Sequence, residues 1–285
     1  MTTTLSFDTA PDLRRIYATG ALRRGSDSET LPDVRAVRDG IRVDLDALAA
    51  YVRVCRFPLS STLPLTYPHL LAFPLQMAVM SHEGFPLPLL GAVHVTNAIT
   101  LLRPLLVTDE LALTVWAQDL RPHRRGRQVD LVSEARIEGE LVWRGVSTYL
   151  SRGAGHPEAQ VSDPPGLEPL ADVPAGPVWR LAEGTGRSYA AVSGDWNPIH
   201  VHALAARPFG FPTAIAHGMY HYARALAALG PRLPEAGLTS RVWFRKPVRL
   251  PSTVRLRSAF EPSRTLSRLE NLTGEVEHAV IENTW

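Results

Sequence analysis

The chain has 285 residues, enough for one large domain or two ordinary ones with full cores. It is 45% hydrophobic and 20% charged, with a formal charge of +2. Its positive charge, nearly all arginine, is scattered and does not form the basic stripe that an extended nucleic-acid surface needs. A single cysteine excludes an intramolecular disulfide and any metal site built on several thiolates.

In chain order, the opening segment is polar and mixed. Arg23–Glu29 predicts an exposed loop, and Asp44 is placed to cap a short helix near Asp44–Ala50. Its first residues, Met1–Asp8, lack the basic and apolar regions of a secretory leader. No run approaches the roughly 20 apolar residues of a membrane helix, so a cytoplasmic location is expected. Tyr51–Phe57 alternates like a strand, and Cys55 within it reads as a buried, inert thiol. His69–His82 is apolar on all sides and of helical length, which predicts a helix surrounded by other structure. Pro74 inside it predicts a kink or a late start.

From Gly91 the texture turns to β. Gly91–Thr100, Glu110–Leu120, Gln128–Ile137 and Leu141–Ser151 alternate or are rich in Val, Thr and Trp, with Gly126 and Glu138-Gly139 at hairpin spacing. Residues 151–177 are rich in Pro, Gly, Ala and Asp without periodicity and read as a linker between an N-terminal half, 1–150, and a C-terminal half, 178–285. The second half repeats the first layout. An apolar run, Thr213–Leu229, is followed by strand-like Arg241–Lys246, Thr253–Phe260, Arg264–Asn271 and Gly274–Asn283. Arg103-Pro104 and Lys246-Pro247 close the first strand of each set. A helix followed by four strands, occurring twice, is an α+β arrangement.

The richest stretch for chemistry is Tyr189–His200. Ser193-Gly194-Asp195 and Asn197-Pro198 are turn formers, and Pro198 biases Asn197 away from helical backbone. Asp195 and His200 therefore sit on a bent loop where their side chains can converge. Hydrating an α,β-unsaturated thioester needs a positioned water, a group to take its proton, a group to deliver one, and donors for the enolate oxygen. A carboxylate and an imidazole gripping one water meet the first needs. A helix start at Ala216-His217-Gly218-Met219 can meet the last, with Gly218 allowing a close approach to the backbone.

The string Ser193-Gly194-Asp195-Trp196-Asn197-Pro198-Ile199-His200-Val201, followed by Phe209-Gly210-Phe211 and Ala216-His217-Gly218-Met219, resembles the signature of the MaoC-like, R-specific enoyl-CoA hydratases. The resemblance is carried by Tyr189–Leu226. It implies a double hot-dog: two long central helices, each wrapped by a curved antiparallel sheet. It also implies reversible hydration of trans-2-enoyl thioesters, carried by CoA or acyl carrier protein, to R-3-hydroxyacyl thioesters, or the reverse dehydration. By that resemblance Asp195 and His200 form the catalytic dyad, the amide near Gly218 binds the substrate carbonyl, and Gly194, Asn197 and Pro198 support the loop. Homodimers are the family's habit, and no cofactor is implied. Where the family often has Asp, two residues past the histidine, this chain has His202. The N-terminal half has only Tyr67-Pro68-His69, without a carboxylate, which implies one site per chain with Phe73, Met77 and Met80 near an acyl tunnel.

Other readings stay open. Arg241, Arg245, Lys246 and Arg249 can hold CoA phosphates or guard a strand edge. His217 either caps its helix or lines the pocket, Trp196 is expected to brace the loop by packing, and His221 and Tyr222 either pack or face solvent. His217 and His221 have ligand-like spacing but no third ligand in a metalloenzyme pattern, so no metal is expected. An acyl-CoA thioesterase and a non-catalytic acyl-thioester-binding subunit are the alternative functions.

Overall fold

The computed structural model describes residues 2–20, 25 and 28–285, so the loop expected at 23–29 lies largely outside the described residues. In chain order the elements are β1 (Thr3–Ser6), α1 (Leu13–Gly20), β2 (Val34–Arg42), α2 (Leu45–Cys55), α3 (Tyr67–Met80), β3 (Val93–Leu101), β4 (Glu110–His123), β5 (Gly126–Ile137) and β6 (Glu140–Arg152). There follow β7 (Val178–Leu181), α4 (Thr185–Ser193), α5 (Pro198–Val201), α6 (Ala203–Ala206), α7 (Gly218–Leu229), β8 (Leu238–Phe244), β9 (Ser252–Glu261), β10 (Arg264–Asn271) and β11 (Glu277–Thr284). No described helix is long and apolar enough to cross a membrane.

The chain folds as two compact units, one of residues 1–44 and 66–162, the other of 45–65 and 163–285. In the first, the strands run β1-β2-β4-β5-β6-β3, antiparallel except for the β1–β2 pair. In the second they run β7-β9-β10-β11-β8, all antiparallel. Setting β1 aside, the two orders are the same: the strand before the helix lies at one edge and the strand after it at the other. The duplication expected from the sequence is thus a duplication of topology, and the fold is α+β. Each unit has one strand more in that plan than the four expected, β2 and β7, because both lie in the lead-in segments.

Helix α3 is buried at almost every position, as its all-round apolar sequence requires. It starts two residues early, at Tyr67, because Pro68 in the first turn lacks only an N–H that would have no helical acceptor. Pro74 lies inside one continuous helix. Of its two buried polar residues, His69 and Gln76, the latter is fully buried and satisfied. Its amide donates to Ser133 Oγ at 3.0 Å, and Tyr149 Oη donates to Gln76 Oε1 at 3.2 Å, tying the helix to β5 and β6. Phe73, Met77 and Met80 are buried along the same helix. The tight β5–β6 turn takes positive φ at both Glu138 (48°) and Gly139 (84°), the primed geometry that suits a two-residue hairpin.

One expectation is overturned at Tyr51–Phe57. Most of it is the second half of α2 and not a strand: Leu48, Tyr51, Val52 and Cys55 are the helix's buried residues, and their spacing of three, one and three is helical. Burial pushes the Cys55 thiol up to about 12, which keeps it protonated and inert. Helix α2 packs within the second unit, beside α4 and α7, with the Tyr51 ring 6.4 Å from that of Tyr189. In the same unit, Leu167, Leu170 and Val173 from the 151–177 segment pack on Trp243, Ala259, Leu266 and Val280 of the sheet. Glu270 on β10 is wholly buried between Arg255, Arg257 and Arg268.

Candidate active site

Helix α4 ends where Gly194 turns left-handed (φ 73°) and donates its N–H to the Ala190 carbonyl, which is why a glycine stands there. The chain then turns by side-chain hydrogen bonds. Asp195 N–H donates to Ser193 Oγ at 3.2 Å, Asn197 N–H to Asp195 Oδ1 at 3.2 Å, and Ile199 N–H to Asn197 Oδ1 at 3.3 Å. Asn197 is thereby the N-cap of α5, with Pro198 in the first turn. His202 then caps α6, its Nδ1 accepting from Leu204 N–H at 3.1 Å. That acceptor role is one an aspartate side chain can also fill. Trp196 does not brace the loop by burial, since it is 42% exposed; the loop is held by the hydrogen bonds just named.

His200 is fixed by one residue from two sides. Ile215 N–H donates to the Ile199 carbonyl at 3.0 Å, and the Ile215 carbonyl lies 2.8 Å from His200 Nδ1. Ile215 is itself held by bridging to Arg249, with flanking bonds from Ala216 N–H to Val248 O (2.9 Å) and Leu250 N–H to Ala214 O (2.8 Å). Because a carbonyl can only accept, His200 Nδ1 carries the proton and Nε2 keeps its lone pair. Burial holds the His200 ring below its usual pKa, outweighing the opposing pull of Asp195, so the ring is a neutral base near pH 7.

His217 completes a compact group. Its Nε2 lies 2.9 Å from the Asp195 carbonyl oxygen and 3.7 Å from Oδ2 of the same residue. Its ring stacks on that of His200 at 3.7 Å with an inclination of 27°. It is the residue before α7, and Gly218 opens that helix with a backbone N–H in the first turn, where donors have no intrahelical acceptor. The structure gives a packing reason for Gly218: a Cβ there would meet the Phe244 ring at 2.9 Å. His221 and Tyr222, one turn on, are both buried, and Tyr222 Oη donates to Ser240 Oγ at 2.6 Å.

Asp195, His200 and His217 offer donor atoms within 4.8 Å of one another, which raises the question of a metal. The two rings answer against it. Stacked rings with centroids 3.7 Å apart and planes inclined by only 27° do not aim their in-plane lone pairs at a common point about 2 Å from a nitrogen of each, as zinc requires.

Of the remaining candidates, Arg241 is exposed and lies over the Trp243 ring at 5.6 Å. Arg245 is paired with Glu277 at 3.2 Å and Asp163 at 3.8 Å, and Lys246 is exposed. In the first unit, Tyr67-Pro68-His69 opens α3 without a carboxylate; His69 is buried, 5.9 Å from the ring of His94, which stacks on Tyr149 at 4.7 Å.

One supporting residue was not singled out from the sequence. A Cβ on Gly186, inside α4, would overlap the His200 carbonyl oxygen and touch Leu250 at 3.5 Å. Only the string Thr185-Gly186-Arg187 hints at it, since glycine in a helix costs about 1 kcal/mol against alanine and calls for a compensating close approach. Gly186→Ala should therefore move the α5 turn away from α4. The expected result is a lowered melting temperature, corresponding to about 1–3 kcal/mol, together with reduced turnover. Unchanged values for both in a thermal melt and an activity assay would refute the close approach.

Residues 168–282 match the model of the MaoC like domain. The chain is 40% identical over 239 residues to 3-hydroxyacyl-thioester dehydratase X of Mycobacterium tuberculosis, covering 84% of this chain and 85% of that one. A shorter match, 41% identical over 69 residues, links 23% of this chain to 48% of the (R)-specific enoyl-CoA hydratase of Rhodospirillum rubrum. Among solved structures, HtdX of Mycobacterium tuberculosis superposes with a TM-score of 0.76 at 36% identity, covering 87% of this chain and 98% of that one.

Proposed function

The chain belongs to the MaoC-like dehydratases, and on that premise we propose that Asp195 and His200 are the acid–base pair of a hydro-lyase that interconverts trans-2-enoyl and R-3-hydroxyacyl thioesters. Hydration or dehydration of enoyl thioesters is the reaction class its relatives' names share. The observation that carries the reading is the 2.8 Å contact of His200 Nδ1 with the Ile215 carbonyl, which assigns the proton to Nδ1 and leaves the basic Nε2 for a water shared with the nearby Asp195 carboxylate.

In the hydration direction, the water gives one proton to His200 Nε2 while its oxygen bonds to C3; its other hydrogen stays on that oxygen, donated in a hydrogen bond to the Asp195 carboxylate. The C2–C3 π electrons move onto the thioester, whose oxygen is met by the Gly218 N–H and the positive end of α7. The proton held on Nε2 then returns to C2, so water adds across one face and the enzyme ends as it began. Dehydration is the reverse. CoA or acyl carrier protein can carry the acyl group, with Arg241, Arg245 and Lys246 as candidate contacts for the CoA phosphates. A cytoplasmic homodimer with one site per chain fits the family resemblance.

The test is a chain-length series of trans-2-enoyl-CoA substrates, followed by loss of the enoyl thioester absorbance and chiral analysis of the product. Loss of the band with R-3-hydroxyacyl product is expected. Free thiol release without hydration would make the chain a thioesterase, and tight binding without turnover would make it a binding subunit.

A further inference from the structure

We propose that His217 is a positioning residue for the Asp195–His200 pair, its Nε2–H holding the Asp195 backbone carbonyl while its ring fixes the plane of the His200 imidazole. The inference rests on the catalytic reading of that pair. Three observations on one side chain support it. A carbonyl oxygen can only accept, so the 2.9 Å contact assigns the proton to His217 Nε2. The ring lies 3.7 Å from that of His200, nearly face to face, so the two imidazoles cannot rotate independently. And His217 immediately precedes Gly218, so the link that anchors Asp195 starts one residue from the proposed carbonyl-binding amide. The side chain therefore sets the spacing between the acid–base pair and the helix terminus.

The surroundings suit a neutral donor and no other state. His217 is only 2% exposed, and the Tyr189 ring packs 4.9 Å away on its other flank. Burial and the neighbouring His200 hold its pKa down at about 3, against the opposing pull of Asp195. Its Nδ1 has no hydrogen-bond partner among the described residues, so all of its polar work is done through Nε2. A group that must stay neutral to keep its place is poorly suited to taking the substrate proton, which separates its role from that of His200.

Glutamine can present an amide N–H near the position of Nε2, whereas leucine fills similar space and has no donor. His217→Leu should lower kcat by about 10- to 100-fold with KM changed less than threefold, because substrate binding elsewhere is untouched while the pair loses its geometry. His217→Gln should recover at least tenfold of that loss. Both are assayed beside Asp195→Asn and His200→Ala, with thermal melts of all four. Equal activity of His217→Leu and wild type, with Asp195→Asn and His200→Ala inactive, overturns the positioning role alone. Loss in the Leu variant that Gln does not recover, at equal melting temperatures, also overturns it. Full activity in Asp195→Asn and His200→Ala instead removes the catalytic reading on which it stands.

Discussion

Asp195→Asn and His200→Ala each lower kcat for crotonyl-CoA hydration by about 10²–10⁴-fold, the usual contribution of a positioned general acid or base. The two variants fail for different reasons. Asparagine keeps an oxygen at the position that accepts the Asn197 N–H at 3.2 Å, so the turn survives and only the charge and the proton-holding capacity are lost. The double variant should be little worse than the more damaged single one, since two groups that grip the same water act as a unit. Alanine at 200 also removes the ring on which His217 stacks, so this variant should lose some stability as well as activity. Steady-state kinetics with circular dichroism to confirm folding check both. Near wild-type turnover in the two variants would remove the dyad assignment.

The bent loop is legible because its chemistry is local. Gly194, Asn197 and Pro198 each act within a few residues of themselves, through a left-handed backbone, an asparagine cap and a fixed φ, and the structure finds each at such work. What holds the loop against the body of the protein is not local. The Ile215 carbonyl, the missing Cβ of Gly186 and the ring of His217 meet His200 from residues 15, 14 and 17 positions away, and apart from the helical glycine at 186 nothing in the sequence announces those approaches. For that reason the sequence around His217 fits both a helix cap and a pocket residue.

The fold shows the same division. The eight strands that follow the two main helices have hairpin turns and alternation to mark them. β2 and β7 do not: each lies at or near a sheet edge after a polar lead-in, and β7 is only four residues long. Residues 51–57 show how two periods compete. Val52 and Val54 suggest alternation, but Tyr51, Val52 and Cys55 also continue the helical spacing from Leu48, and packing beside α4 and α7 decides in favour of the helix. Trp196 errs the other way. Large aromatics are usually buried, yet this one follows a left-handed glycine on a loop whose geometry is already fixed by hydrogen bonds, and it faces out.

Acidification should unfold this protein well above the range where carboxylates protonate, because its buried histidines must be neutral in the folded state. His94, His200, His217, His221 and His278 all have ring pKa values held below the ordinary 6.5, burial being the largest cause for each. A depressed histidine stabilises the fold above the unfolded pKa of about 6.5 and loses that advantage as pH falls below it, since the unfolded chain then binds a proton the folded one refuses. For His217 and His221, both lowered to about 3, the loss continues across the whole interval from 6.5 to 3. At pH 5 each of these two removes about 2 kcal/mol, a large part of the 5–15 kcal/mol that stabilises a typical domain. Glu270 adds to the loss only at lower pH. Burial alone would raise its carboxyl, but hydrogen bonds and charge from Arg255 and Arg268 hold it below its usual value, so its contribution fades as pH drops beneath about 4.3. Melting temperatures should therefore fall steeply between pH 7 and pH 5. His221 isolates the cause, because neither of its ring nitrogens has a hydrogen-bond partner among the described residues. His221→Leu, similar in volume and free of the proton, should match wild type at pH 7.5 and exceed it by about 2 kcal/mol at pH 5. A wild-type melting temperature that stays level from pH 7.5 to 5, or a leucine variant that keeps the whole decline, would show that these histidines do not carry the acid sensitivity.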